Sequence, residues 1–548
     1  AQASGAIQDI SDFHKDDKVY LLTSKPFENR VPYFCSGCPH NTSTKVPTGS
    51  RAVAGIGCHY MAMWMDRNTS TFTHMGGEGA TWIGQSPFTS EQHIFANIGD
   101  GTYFHSGILA IRAAVSAKVN ITYKILFNDA VAMTGGQSHD GVLDAAKISR
   151  QISSEGVNPI FVITDEPEKY HSETVWASGV VLKHRSHLDS VQKVLREKKG
   201  VSAIIYDQTC ASEKRRRRKR NAYPDPAKRV IINERVCEGC GDCGTQSNCL
   251  SIEPLETEFG RKRQINQSSC NKDFSCLSGF CPSFVSVEGG KLKKNSNIAF
   301  KGLENEIDIL NSTLFKFPRP SFNEIKDSFG ILVTGIGGTG VVTIGQILAM
   351  ASHISKKHCT VLDMSGLAQK GGPVISHVKI SSKNDQIFST KISSGRADLV
   401  IGCDLVVTAG NEAISTINNQ NTCVVTNSTI TPTSDFIKNP NWISPKESSL
   451  SRIKSSCNDL NFMEIEAGRI ASSLMGDSIA TNMFMLGFAW QKAWLPLEDI
   501  AILKAIELNG ISVDFNKRSF LWGRLAAQDV SHVEKEIKFR APINDSLF

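Results

Sequence analysis

Residues 237–243 read CEGCGDC, three cysteines at C-x2-C-x2-C spacing, and a fourth, Cys281, precedes a proline in CLSGFCP. Zinc sites take thiolates as separated pairs, whereas three at this spacing with a remote Cys-Pro follow the ligation pattern of a 4Fe–4S cluster. Cys237, Cys240, Cys243 and Cys281 complete one such set. Cys249, Cys270 and Cys276 lie between them and are candidates for a second cluster that is one ligand short. The segment 230–295 lacks apolar periodicity, so metal ligation rather than a hydrophobic core is expected to hold it together. The chain carries fifteen cysteines, and eleven fall before position 282 in groups, which speaks against a disulfide framework and for a reducing compartment. Cys359, Cys403, Cys423 and Cys457 stand alone and are expected as small buried apolar residues.

On both sides of this segment, short apolar runs alternate with helical patterns, the signature of parallel α/β sheets. Strands are expected at 94–98 (IFANI), 121–127 (ITYKILF), 159–164 and 202–206, which places a first α/β domain at 1–212. A second begins at 329 with GILVT, a glycine turn, a helix at 341–353 and CTVLDM, and runs to 548. Residues 213–229 and 296–328 read as linkers, and no internal repeat is evident. No apolar run reaches the ~18 residues of a membrane span. The N-terminus has neither a basic start nor an apolar core, so it is not a signal peptide. It also lacks a methionine, so a processed or truncated chain is expected.

The net charge is +6, yet the run Lys214–Arg220 alone supplies seven positive charges. Basicity this local does not suit a nucleic-acid binder, whose cations spread over a face. Two readings of the run remain: a solvated, self-repelling linker, or a patch that attracts an acidic partner protein.

IGDGTYFHSG follows the 94–98 strand. A Gly99-Asp100-Gly101 turn lets backbone approach a ligand closely and aims amides at phosphate oxygens. Asp100 would offer a carboxylate to a hard cation, and Asn128, opening the loop after the next strand, a neutral oxygen; a diphosphate and one backbone carbonyl nearly complete a Mg²⁺ sphere. Cys35 and Cys38 (FCSGCPH) with Cys58 (GIGCHY) give three thiols ahead of this motif, a set that zinc accepts as readily as iron. Cys210, ending the domain's last strand, is the unclaimed fourth. In GILVTGIGGTGVV, Gly335, Gly337 and Gly340 match G-x-G-x-x-G, with Asp363 ending the following strand, which permits a dinucleotide but fits tight strand–helix packing equally.

Together CSGCPH, THMGGEG (73–79), GDGTYFHSG, AMTGGQ (132–137), CASEKRRRRKR, VCEGCGDC and GIGGTGVV…SGLAQKGGPV resemble the 2-oxoacid:ferredoxin oxidoreductases, above all the long fused bacterial indolepyruvate ferredoxin oxidoreductases. The resemblance covers nearly the whole chain. It implies a thiamine diphosphate (ThDP)-binding parallel-sheet domain, a small iron–sulfur segment and a Rossmann-like gamma domain. It implies oxidative decarboxylation of an arylpyruvate-type 2-oxo acid, with electrons leaving through 4Fe–4S clusters to ferredoxin and the acyl group passing to coenzyme A. In that family Asp100, Asn128 and the Ala130 carbonyl match the Mg²⁺ ligands, and Cys35, Cys38, Cys58 and Cys210 match the cluster nearest ThDP. The resemblance discounts a nicotinamide nucleotide at Gly335–Gly340, leaving coenzyme A as the nucleotide to consider there. It implies a cytoplasmic homo-oligomer that binds neither membrane nor nucleic acid. Two departures stand out. No pyrimidine-binding domain carrying the activating glutamate is found, so the rest of a longer chain or a partner subunit is expected to supply it. The fused proteins also have more chain on both sides, so this is expected to be a central portion.

Overall fold

The computed structural model describes residues 29–139, 141–289, 303–322, 324–325, 327–365 and 371–540. The stretch 366–370, within SGLAQKGGPV, lies outside the described residues.

The first unit is a seven-stranded sheet built from β1 (Ala52–Ala54), β2 (Thr69–Phe72), β3 (Ile94–Gly99), β4 (Ile121–Phe127), β5 (Ile160–Thr164), β6 (Val181–His184) and β7 (Val201–Asp207). The strands are all parallel, in the order β2-β1-β3-β4-β7-β5-β6. β4 and β7 are buried along their whole length, as expected for central strands covered by helices on both faces. Among their buried polar residues is Lys124, whose ammonium donates to the carbonyls of Ser43 and Lys45 and to Gln192 Oε1. Burial, with Arg67 nearby, pushes Lys124 down to about 7.

The cysteine-rich segment follows as two antiparallel ribbons, β8 (Lys228–Ile232) paired with β11 (Phe284–Glu288) and β9 (Ile252–Thr257) with β10 (Gly260–Ile265). The second α/β unit is a six-stranded mixed sheet of β12 (Ser328–Ile336), β13 (His358–Met364), β14 (Pro373–Ser381), β15 (Leu399–Gly402), β16 (Cys423–Asn427) and β17 (Phe462–Ile465). Its order is β13-β14-β12-β15-β16-β17, with β14 antiparallel to both neighbours. Its largest core cluster includes the helices Thr481–Gln491 and Val513–Gln528, which cross where Gly487 faces the Phe520 backbone and Gly523 the Phe484 backbone. Cys403 and Cys457 are buried, and Cys359 and Cys423 are half-buried against apolar neighbours.

Two segments read as linkers are structured. Leu303–Leu314 is a helix that places Leu310 and Leu314 in the second core. Ala211–Lys219 is also a helix, with Arg216, Arg217, Arg218 and Lys219 in the last turn, where positive charge complements the carbonyl end of the helix dipole. Domain contact is specific: Arg30 forms a buried bidentate pair with Asp404 (3.1 and 2.9 Å) and donates to the Thr431 carbonyl at 2.7 Å. No helix among the described residues is long and apolar enough to cross a membrane.

Candidate cofactor site

Ligands in open parallel sheets gather at the carboxyl ends of strands, and β3 and β4 end side by side there. Asp100 follows Gly99 at the end of β3 and is buried. Its Oδ1 accepts from the Gly101 amide at 2.8 Å, and its Oδ2 from the amides of Asn128 and Asp129 at 2.8 and 2.9 Å. The carboxylate is therefore fixed between the two loops before any ligand arrives. Asn128 Oδ1 is buried without a hydrogen-bond partner, and Ala130 is buried two residues on. A buried orphan acceptor is costly in a folded protein. Next to a fixed carboxylate, it suits a hard cation.

Three further side chains converge on this end of the sheet without having been singled out in the sequence. His139 Nε2 stands 3.5 Å from Asp100 Oδ2, its ring between Phe104 and Phe127. His59 is buried with Nε2 unpartnered, and burial pushes it down to about 4, so it is neutral. A Cβ on Gly99 would stand 3.5 Å from its ring, which places it against the turn. Glu78 is buried in THMGGEG, with Oε2 accepting from the Gly76 amide at 2.8 Å and Oε1 unpartnered; burial raises its pKa. Their signal was only a histidine beside a cysteine and a glutamate among glycines.

Cys35, Cys38, Cys58 and Cys210 come together beside this site. Burial, then the neighbouring thiols of Cys35, Cys58 and Cys210, push the Cys38 thiol well up. The Cys210 amide donates to the Asn128 carbonyl at 2.9 Å, which ties the loop carrying the thiol to the loop carrying the candidate Mg²⁺ ligand. Cys237, Cys240, Cys243 and Cys281 form a second group. Burial pushes Cys243 up to about 11; Arg263 opposes this, and Cys237 and Cys281 add to it. Arg263 also lies within charge range of Cys240, which is exposed. Cys249, Cys270 and Cys276 make the third group and line one cavity with Gly37 of the Cys35–Cys38 loop. Among the described residues no three Cys, His, Asp or Glu side chains are close enough to hold a single metal ion. Sulfurs that grip the outside of a four-iron cube stand wider apart than ligands of one ion, and within each group thiols lie within charge range of one another.

Six of the seven cations of the basic run have partners inside the molecule. Lys214 pairs with Asp165 at 2.9 Å, Arg216 with Glu213, Arg217 with Asp129 at 2.6 Å, and Lys219 with Asp477 at 3.4 Å. Arg215 donates to the Ser268 carbonyl, and Arg218 to those of Pro224 (3.0 Å) and Asn271 (2.9 Å). The expectation that most of these cations face solvent or a partner is thereby corrected. The helix ties the Asn128–Gly135 loop, the cysteine-rich ribbons and the second α/β unit together.

At the second glycine loop, the first glycine packs tightly against its neighbours. A Cβ on Gly335 would meet Val341 Cγ2 at 2.6 Å and Cys403 at 3.3 Å, so this glycine allows close strand–helix packing. The Gly337 amide donates to the Gly372 carbonyl at 2.9 Å, and Gly340 has φ +98° at the start of the Val341–Ile354 helix. Asp363 lies on the edge strand β13, separated from β12 by antiparallel β14, unlike the adjacent parallel strands of a dinucleotide fold.

Comparison with known proteins divides the chain the same way. A family model described as "Thiamine pyrophosphate enzyme, C-terminal TPP binding domain" matches residues 55–201, which contain Asp100 and Asn128. Another, "Pyruvate ferredoxin/flavodoxin oxidoreductase", matches residues 330–525. The chain is 26% identical over 261 residues to indolepyruvate oxidoreductase subunit IorA of Thermococcus kodakarensis, a match spanning 44% of this chain and 38% of that relative. It is 25% identical over 206 residues to indolepyruvate oxidoreductase subunit IorB of Methanothermobacter thermautotrophicus, spanning 37% of this chain and 99% of that one. Among solved structures, pyruvate oxidoreductase subunit PORC of Thermotoga maritima aligns with 20% identity and a TM-score of 0.27, covering 36% of this chain and 97% of that one.

Proposed function

The chain belongs to the 2-oxoacid:ferredoxin oxidoreductase family, and from that premise we propose that it carries the cofactor-diphosphate and electron-outlet parts of an indolepyruvate-type enzyme. The reaction is oxidative decarboxylation of an aryl 2-oxo acid to its coenzyme A thioester, with ferredoxin as electron acceptor. The observation that carries this reading is the Asp100 carboxylate, locked by three amides beside the orphaned Asn128 Oδ1 and linked through the Asn128 carbonyl to Cys210.

ThDP held there would supply a nucleophilic carbon for the 2-oxo acid and a cationic ring able to take up the electron pair of decarboxylation. Asp100, Asn128 and the Ala130 carbonyl would hold its Mg²⁺. Neutral His59, against Gly99, can accept or donate one hydrogen bond without adding charge beside the diphosphate. Arg217 holds Asp129, the residue whose positive φ of 61° turns the loop toward Asp100. The Cys35, Cys38, Cys58 and Cys210 thiols would ligate the cluster that receives the first electron. The Cys237, Cys240, Cys243 and Cys281 group, with Cys240 exposed, is placed to pass electrons outward. We assign the activating carboxylate to a pyrimidine-binding domain outside the described residues.

The test uses the assembled enzyme, made anaerobically with ThDP, Mg²⁺ and coenzyme A. Indolepyruvate and phenylpyruvate should bleach the cluster absorbance and reduce ferredoxin faster than pyruvate or 2-oxoglutarate. A preference for the small 2-oxo acids would overturn the aryl assignment. Clusters that no 2-oxo acid reduces while ThDP is bound would overturn the activity.

A further inference from the structure

The cysteine-rich segment is an internal duplication that its sequence conceals. Cys270 and Cys276 stand 33 residues after Cys237 and Cys243. Each half runs from a strand (β8 or β10) through a loop into a helical turn (Asp242–Ser247 or Ser275–Leu277) and on to a strand (β9 or β11). The loops agree residue for residue. Gly239 and Gly241 have φ of 72° and 85°, and Lys272 and Phe274, at the same steps, have 58° and 60°. The Gly239 amide donates to Cys237 Sγ at 3.4 Å, and the Lys272 amide to Cys270 Sγ at 3.5 Å. A lysine and a phenylalanine in left-handed geometry each carry backbone strain that glycine avoids, so the second loop keeps the shape of the first at an expense. In this register the counterpart of Cys240 is Asp273.

The remaining geometry is that of a ligand set. Cys249, Cys270, Asp273 and Cys276 line the same cavity, and Cys276 lies within charge range of the other three. Cys249 comes from the first half and Cys281, beside Cys243, from the second. This exchange matches two-cluster ferredoxins, in which the fourth cysteine of each run serves the other cluster. Asp273 is itself held in place: its Oδ1 accepts from Arg185 at 2.5 Å and from Gln208 Nε2 at 2.9 Å, while Oδ2 accepts no hydrogen bond among the described residues. Outer partners of this kind orient a ligating group.

We propose that Asp273 is the fourth ligand of a second 4Fe–4S cluster in this segment, binding iron through Oδ2 alongside Cys249, Cys270 and Cys276. The assignment rests on the iron–sulfur reading above and supplies the ligand that the seven cysteines lack. It also orders the electron route. Gly37 and Ser36 of the first thiol loop touch the Cys249 thiol, and Cys276 lies near Cys243, so this cluster stands between the ThDP-side cluster and the outer one. Carboxylate is a harder and weaker partner for iron than thiolate, so one iron of the middle cluster is the exchangeable one.

The test is iron counting and electron paramagnetic resonance on the anaerobically reconstituted enzyme. Wild type should hold about twelve irons per chain, three clusters of four. Brief ferricyanide treatment should take one electron from the middle cluster and release its oxygen-bound iron as Fe²⁺, leaving three ferric ions and the signal of a three-iron cluster. Asp273→Cys should keep the iron and abolish that signal, and Asp273→Ala should lose at least one iron. Arg185→Ala separates a structural role from ligation: it should retain the iron, whereas loss matching Asp273→Ala would make Asp273 only an anchor. A three-iron signal unchanged in Asp273→Cys overturns the proposal. About eight irons, unaffected by Cys276→Ser, overturn the ligand assignment alone, and a wild type without iron overturns the functional reading with it.

Discussion

Twice the chain runs from strand through glycine turn into helix, at Gly99–Gly101 after β3 and at Gly335–Gly340 after β12, and the two turns are used differently. Around the first are a carboxylate held by three amides, an unpartnered amide oxygen and a neutral imidazole. Around Gly335 are Val341 and Cys403, close enough that a single methyl would collide. In the proposed reading the same local grammar gives a ligand seat where its neighbours are orphaned polar atoms, and it gives a packing joint where, as at Gly335, they are apolar. A glycine pattern is thus evidence of close approach; what approaches is decided by residues far away in sequence.

If the second turn is architecture, breaking its supports should cost stability and leave cofactor binding alone. The largest effect is expected at Arg30, whose removal leaves the buried Asp404 carboxylate, one residue after Cys403, without its cationic partner. Arg30→Ala should destabilise the protein by about 3–5 kcal/mol in denaturant unfolding, with ThDP affinity of the folded protein unchanged. A loss under about 1 kcal/mol, the worth of an exposed pair, would mean that this contact does not hold the units together.

Acid offers a probe of the first turn's strand. His93, just before β3, bonds Thr122 Oγ1 at 2.7 Å, and burial, then Arg196, pushes it down to about 4. Folded protein therefore binds fewer protons at this site than unfolded chain between about 4 and the ordinary 6.5. Stability is full above the upper value and declines as pH falls through that window, by up to about 3 kcal/mol. His93→Gln should flatten that stretch of the pH–stability curve; an unchanged slope would show that other groups carry it.

Gly335→Ala should cost about 1–3 kcal/mol through overpacking against Val341. Gly340→Ala should cost about 1 kcal/mol, because its positive φ resists a side chain while its nearest neighbours, Asn482 and Thr343, stay at ordinary van der Waals distance. Calorimetric Tm shifts in the reverse order would show that the helix start, not the strand–helix contact, is the tight point.

Much of the fold was readable because buried parallel strands such as ITYKILF are continuous apolar runs. The helix Ala211–Lys219 was not. Its charges look unpairable in sequence, and their partners Asp129, Asp165 and Asp477 come from three distant loops. The repeat in the cysteine-rich segment was hidden because Lys272 and Phe274 replace the glycines and Asp273 a cysteine, while the backbone stays the same. Asp100 and Asn128 were legible as candidates from spacing alone. His59, Glu78 and His139 reach the same place only through the fold, since a lone histidine or glutamate carries no spacing to read.

The central claim, that the Gly99–Gly101 turn seats the ThDP diphosphate and the Gly335–Gly340 turn does not, is tested most directly by titrating ThDP, with and without Mg²⁺, into wild type, Asp100→Ala and Gly335→Ala. The account predicts Mg²⁺-dependent binding to wild type and to Gly335→Ala. In Asp100→Ala, checked for normal iron content and folding, affinity should fall by more than about a hundredfold. Wild-type affinity in Asp100→Ala, or lost binding in a folded Gly335→Ala, would contradict it.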